Sequence, residues 1–321
     1  MPYKFPGVST PATWSRKPVP TLMNRAERIR NHLMALPPAL YLLLFFAVPS
    51  VMMLFASFRY PGEYGGLAPW YYIEHGQFSL DFTLENWLRL FESGIYLGLL
   101  FKSLGYAILT TLICTIMAYP LALMIARSQK RFRDLLLLLV ILPFWSNFLV
   151  RIYAWMIIFS PQGALTIGLN HVTAALGLEP ISLMFSSTAV ITCLVYVHLP
   201  FMILPLYANL EKHDSRLLDA AQDLGANRFQ CFWLITWPQS LPGIYAGAIL
   251  VFIPSLGIFA IPDLLGGTNG IMIGNVIKQQ FVESRDWPFG SVLSLVLTGI
   301  TLLLVLLAAK LGKTGSANNG T

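Results

Sequence analysis

Residues 213–238, HDSRLLDAAQDLGANRFQCFWLITWP, carry the reading on which the rest of the chain turns. The segment opens with His213, Asp214 and Ser215, and an Asp or Ser side-chain oxygen there can accept from the free amides of a first helical turn. A short helix is predicted over Arg216 to Leu224, and Gly225 suits a left-handed stop. A second helix is predicted from about Asn227 to Ile235, ending before Pro238. Small Ala220 and Ala221 leave room for a partner's groove to approach, while Asp219 and Asp223 place charge at its rim. An ordinary amphipathic connector has the same composition, so composition alone does not distinguish a connector from a docking element.

What lies on either side is strongly apolar. Of 321 residues, 56% are hydrophobic and only 11% are charged, against about 25% charged in a soluble domain. With a mean hydropathy of +0.64, such a chain cannot present a water-compatible surface and must be embedded in a membrane. Six apolar runs, 36–58, 103–126, 135–158, 186–209, 244–264 and 289–309, are long enough to cross about 30 Å of hydrocarbon, which takes roughly 20 helical residues. The expected fold is an all-α membrane protein with six transmembrane helices. Pro49, Pro120, Pro143, Pro200, Pro205 and Pro254 fall inside the runs. Neighbouring helices can satisfy the carbonyls they free, so they read as bends along a pathway.

Basic residues orient the spans, because short cytoplasmic loops are enriched in Lys and Arg. Fifteen lie on one side, in the N-terminal segment, the second and fourth connections and the C-terminal tail; five lie on the other, Arg59, Arg89, Lys102, Lys278 and Arg285. Both termini are therefore expected in the cytoplasm. Residues 1–35 form an N-terminal tail, 36–309 the transmembrane domain with its cytoplasmic segment at 210–240, and 310–321 a polar, mobile C-terminal tail. Within the first, 22–34 reads either as a basic amphipathic helix lying among lipid headgroups or as a solvated basic tail. The first run starts too far in, and is too long, for a signal peptide. The longest external loop, 59–98, is acidic and suits contact with an external partner or a structural cap over the bundle.

The polar residues assemble no chemistry of their own. Cys114, Cys193 and Cys231 have no CxxC spacing, and His32, His75, His171, His198 and His213 make no metal-ligand pattern. Gly312-Lys313-Thr314 ends like a P-loop, but Leu307 stands where its first glycine belongs and the segment follows a span instead of a strand. Neither a catalytic constellation nor a cofactor site is expected, and the distribution of the positive charge does not suggest nucleic acid. A membrane enzyme or passive channel is the rival class. An enzyme needs such a constellation, and a channel has no need of a helix–glycine–helix segment.

The spacing within 213–238 resembles the permease signature of ABC importers: Glu-Ala-Ala, three residues, Gly, nine residues, Ile, one residue, Leu-Pro. Here it stands as Asp219-Ala220-Ala221, Gly225, Ile235 and Trp237-Pro238, with Asp for Glu and Trp for Leu. The resemblance implies the type I ABC-importer permease fold in a bacterial inner membrane. It also implies that Asp219, Ala220, Ala221, Asp223, Gly225, Ile235 and Pro238 form a coupling element docking into a separate ATPase subunit. A second, homologous permease, two ATPase subunits and an external substrate-binding protein would complete the assembly.

Further stretches narrow the solute. Residues 142–147 with 149–153, 199–207, 273–278 and 285–290 are similar to spermidine/putrescine importer permeases, over roughly residues 36 to 310. Importers of amino-acid-like or metal-complex solutes share part of this pattern. A polyamine is a chain of ammonium groups, which aromatic faces and a carboxylate suit. The spans supply Trp145, Tyr153, Trp155, Tyr196 and Tyr207, although such rings also fill cores and belt interfaces. Arg151 and Asp263 are expected near the outer third of their spans. There they would form either a salt bridge holding an outer gate or a site in which Asp263 meets the substrate.

Overall fold

The computed structural model describes residues 34, 36–74, 77–92 and 94–317. The segment 22–34 lies outside the described residues except for Met34. Six helices are long and apolar enough to cross a membrane: Leu36–Ser57, Ile95–Arg127, Phe148–Ala175, Ser187–Leu210, Arg228–Gly257 and Trp287–Ala308. In chain order the elements are α1 (Leu36–Ser57), a hairpin of β1 (Tyr71–Glu74) and β2 (Gln77–Leu80), α2 (Glu85–Glu92), α3 (Ile95–Arg127) and α4 (Lys130–Ile141). Then follow α5 (Phe148–Phe159), α6 (Ala164–Ala175), α7 (Ser187–Leu210), α8 (Ser215–Asp223), α9 (Arg228–Gly257), α10 (Ala260–Leu265), α11 (Ile273–Val282) and α12 (Trp287–Ala317).

Prolines explain where the helices depart from regularity. A proline has no amide to donate, and its ring crowds the carbonyl four residues earlier. In α1 a π-helical turn at Leu43–Ala47 precedes Pro49. In α9 a π-helical turn at Phe232–Thr236 precedes Pro238. Each wide turn ends two residues before its proline and makes room for the ring without breaking the helix. The second helix of 213–238 therefore does not stop before Pro238, as the sequence suggested, but runs on as the fifth span.

Two expected spans are interrupted. The run 135–158 is split by a 3-10 turn at Leu142–Trp145 containing Pro143, and Asn147 caps the restart, its side chain accepting from Leu149 N at 2.8 Å. The run 244–264 is split at Ile258, whose backbone is extended, and α10 restarts so that Pro262 falls in a first turn, where no donor is required. At the C-terminus the polar tail continues α12 as helix through Ala317.

The core is built where α3, α7 and α9 pack together. Cys114, Ala118, Ala122, Met202, Leu206 and Val251 are its buried residues of lowest exposure. In lipid, close backbone approach replaces the hydrophobic drive between helices, which favours small residues at the contact. Gly243 and Gly247, one turn apart on α9, supply it: a β-carbon on Gly243 would lie 2.7 Å from Asn209 Cβ and 3.2 Å from Leu206 Cα, and one on Gly247 would lie 3.2 Å from Met202 O.

The connection between α1 and α3 holds the antiparallel hairpin, in the register Tyr71↔Leu80 to Glu74↔Gln77, and the helix α2. Buried Asn86 ties α2 back to the end of α1, donating to Ser57 O at 3.1 Å and Arg59 O at 2.8 Å. Arg89 pairs with Asp286 at 2.7 Å and lies over the Phe289 ring at 4.2 Å. Asp286 in turn accepts from Phe289 N at 3.1 Å at the start of α12.

Gly243→Val should overpack the α7–α9 contact at a cost of roughly 1–3 kcal/mol and lower the thermal midpoint of the detergent-solubilised protein. Gly105→Ala, where an added β-carbon meets nothing within 4 Å, should not. Equal midpoints would show that the helices do not need this approach.

Candidate functional site

The segment 213–238 forms an exposed face at one end of the bundle. Asp214 caps α8, its carboxylate accepting from Arg216 N at 3.0 Å. Gly225 ends α8 with φ +86°, and nothing lies within 4 Å of where its β-carbon would be. Its hydrogen therefore serves the backbone turn and also keeps the surface above it free. Asn227 and Gln230 form a reciprocal capping box that starts α9.

Asp219, Ala220 and Asp223 are exposed and Ala221 is half-buried. Leu224 is 89% exposed and Phe229 71% exposed, so the turn presents apolar side chains between charged ones. Ile235 faces inward with Leu218 onto a cavity of about 270 Å³ between α8 and the bundle. Pro238 lies within the first turn of α9 that follows the π-helical stretch. Two contacts set the segment's height on the bundle. His213 Nε2 lies 3.1 Å from Gln239 O, and Glu211 at the end of α7 pairs with Arg133 of α4 at 2.8 Å.

The second group of sequence-selected residues lies at the other end, and here the structure corrects the expectation. Arg151 and Asp263 do not pair. Ile152 and Ile261 are buried in one cluster, so α5 and α10 do meet. Arg151, however, is one residue from Ile152 and Asp263 is two from Ile261, which turns each away from the shared contact at about 100° per residue. The Arg151 guanidinium lies 5.3 Å from the Phe144 ring centre and 5.8 Å from that of Phe148. Its buried Nε has no hydrogen-bond partner among the described residues.

Asp263 pairs instead with Lys278 at 2.8 Å, the two side chains being 29% and 35% exposed. Its other carboxylate oxygen accepts from Asn275 Nδ2. Asn275 is the joint of this end. It also donates to Phe259 O at 2.9 Å, across the break in the fifth span, and accepts from Met272 N at 3.0 Å. Ser103 of α3 accepts from Ile273 N at 2.8 Å, satisfying one of the free amides at the start of α11. The hydrogen bond to Asp263 holds the Lys278 pKa above its ordinary value.

The aromatic candidates separate into two kinds. Trp145 is 75% exposed and Tyr153 51%. Trp155 is a packing residue, with Phe159 at 4.9 Å and Tyr196 at 5.4 Å. Tyr207 packs on the main core. Sequence reasoning passed over Lys278 and Asn275 as site residues, although their spacing of three on a helix puts both on one face.

Comparison with known proteins agrees with this geometry. The spermidine/putrescine transport system permease protein PotB of Escherichia coli (strain K12) is 41% identical over 276 residues, 84% of this chain and 94% of that protein. PotB of Haemophilus influenzae is 44% identical over 230 residues, 71% of this chain and 79% of that protein. A crystal structure of a bacterial ABC transporter involved in the import of the acidic polysaccharide alginate shares the fold, with TM-score 0.67 and 18% identity over 90% of this chain and 96% of that one. The sequence profile of the binding-protein-dependent transport system inner membrane components matches residues 93–311. The six spans and these matches agree: the chain belongs to the family of binding-protein-dependent transport system inner membrane components and is the permease of an ABC importer, a transport subunit and not an enzyme.

Proposed function

We propose that this permease carries polyamines, spermidine or putrescine, across the bacterial inner membrane, and that a separate ATPase subunit docks on residues 213–238. Identity of 41–44% to permeases named for spermidine/putrescine transport is the observation that carries the solute. The exposed carboxylate of Asp263 and the exposed rings of Trp145 and Tyr153 are groups that suit an ammonium chain. Docking is supported by the apolar Leu224 and Phe229 beside Asp219 and Asp223, on a turn that Gly225 keeps clear.

In this reading the assembly holds this chain, a second homologous permease, two ATPase subunits and an external binding protein that delivers the solute. The bilayer surrounds the spans and both termini face the cytoplasm. ATP binding draws the docking faces together and turns the pathway outward; hydrolysis resets it. Importers of amino-acid-like or metal-complex solutes share part of the sequence pattern, so a solute screen decides between them. In the reconstituted assembly with its binding protein, spermidine or putrescine should raise ATPase activity several-fold, whereas amino acids, oxyanions and sugars should not. Stimulation by one of the latter alone would replace the polyamine.

Gly225→Leu should insert normally yet reduce uptake to background. A side chain in the left-handed region costs roughly 1–2 kcal/mol, and this one would also stand in the docking face. Asp219→Lys should reduce uptake less severely. Wild-type uptake by both variants would remove 213–238 from coupling.

Cysteines placed at Gln129 and Tyr64 should label from opposite sides of the membrane, Gln129→Cys from the cytoplasm and Tyr64→Cys from outside. Labelling of both from one side would overturn the proposed orientation.

A further inference from the structure

The end of the bundle that holds Asp263 carries two of the chain's own ammonium groups, those of Lys278 and Lys102. Lys278 Nζ lies 2.8 Å from Asp263 Oδ2, 3.9 Å from Glu283 Oε1 and 6.0 Å from the centre of the Phe259 ring. This is a primary ammonium held by two carboxylates and an aromatic face. Six residues along the same loop the arrangement recurs in weaker form: Lys102 Nζ donates to Asn269 O and lies 5.6 Å from the centre of the Tyr106 ring. The terminal groups of spermidine and putrescine are also primary alkylammonium groups, with the charge, donor count and radius of a lysine head group.

We infer that Lys278 is a tethered stand-in for the substrate, occupying Asp263 until an ammonium group of the incoming solute displaces it. The inference rests on the polyamine reading. Geometry favours a replaceable pair over a permanent one. Asp263 and Lys278 are both partly exposed, and a partly exposed ion pair contributes little net stability where solvent and salt can screen it. Local architecture does not depend on the lysine: Asn275 spans the helix break through Phe259 O and Met272 N, and holds the other oxygen of Asp263. Displacement therefore exchanges one ammonium for another without leaving the carboxylate unpaired. A polyamine also has further charges with which to compete. A lysine ammonium is charged across the neutral range at its ordinary pKa, and the contact with Asp263 raises that pKa further, so the exchange needs no proton transfer.

The test uses the reconstituted assembly with its binding protein. Lys278→Met keeps the reach of the side chain without its charge, and Lys278→Ala empties the position. In both, the apparent KM for spermidine uptake should fall at least threefold. In Lys278→Ala, n-propylammonium should inhibit uptake at concentrations at least tenfold lower than in the wild type, because it fits the vacated place beside Asp263. In the wild type itself, spermidine should raise acylation of Lys278 by an excess of membrane-impermeant amine reagent at least threefold. That measurement needs no variant to fold. An unchanged or raised KM, equal sensitivity to n-propylammonium, or Lys278 acylation indifferent to spermidine would overturn the inference. If the wild type takes up no polyamine at all, the solute reading fails, and this inference with it, before any variant is made.

Discussion

Inside hydrocarbon a backbone amide or carbonyl has no water to turn to, so each proline in a span must be accommodated by the helix that contains it. Pro120, Pro200, Pro205, Pro242 and Pro254 stay inside continuous α-helix; elsewhere two solutions recur. Before Pro49 and Pro238 the helix widens into a π-helical turn and continues. At Pro143 and Pro262 the helix stops and a new turn begins. The first solution keeps α1 and α9 continuous; the second creates the joints at 142–147 and 258–259. Both groups of candidate residues sit next to one of these four irregularities.

Polar groups at the joints make the breaks tolerable. Around 258–278, Asn275 replaces a lost helical turn with a set of side-chain bonds that holds three successive segments, and Gly274 allows the close fit: a β-carbon there would come within 2.8 Å of Ile258 O. At 213–238 the opposite design applies. Capping is local, through Asp214 and the Asn227–Gln230 box, and the apolar side chains are left outward. One end is tied by side-chain bonds between its segments, although Arg151 Nε and Gln280 Oε1 stay buried without a hydrogen-bond partner among the described residues; the other keeps its caps local and its apolar side chains exposed.

Much of this was legible in the sequence. Length and hydropathy were sufficient for the number of spans and for the bounds of the first, fourth and sixth, but the third and fifth lie at Phe148–Ala175 and Arg228–Gly257 instead of 135–158 and 244–264. The stop at Gly225 followed from its place between two helical patterns. Pro238 misled because a proline reads as an end unless a wide turn precedes it, and no residue type marks a π-helical turn. The spacing of Gly243 and Gly247 marks a close helix contact, but that α7 is the partner comes from the structure. Asp263 could not be matched to Lys278 from the sequence, since they lie fifteen positions apart across a helix break and a loop, and helical periodicity carries no phase through either. The mistaken pairing with Arg151 came from measuring depth along helices that turned out to be jointed.

Because α9 runs unbroken from Arg228 to Gly257, its 30 residues make a rod of about 45 Å at 1.5 Å per residue. One end starts in the capping box beside Gly225, and the other stops where Asn275 bridges to Phe259. A rod of that length acts as a lever: a tilt of about 5° at one end moves the far end by roughly 4 Å, more than the length of a hydrogen bond. The π-helical turn lies in the first third of the rod, where a soft joint would absorb twist while passing on axial push. A stroke delivered near residue 228 would therefore arrive at the Asp263 end as displacement, with no chain of intermediate side chains required to carry it.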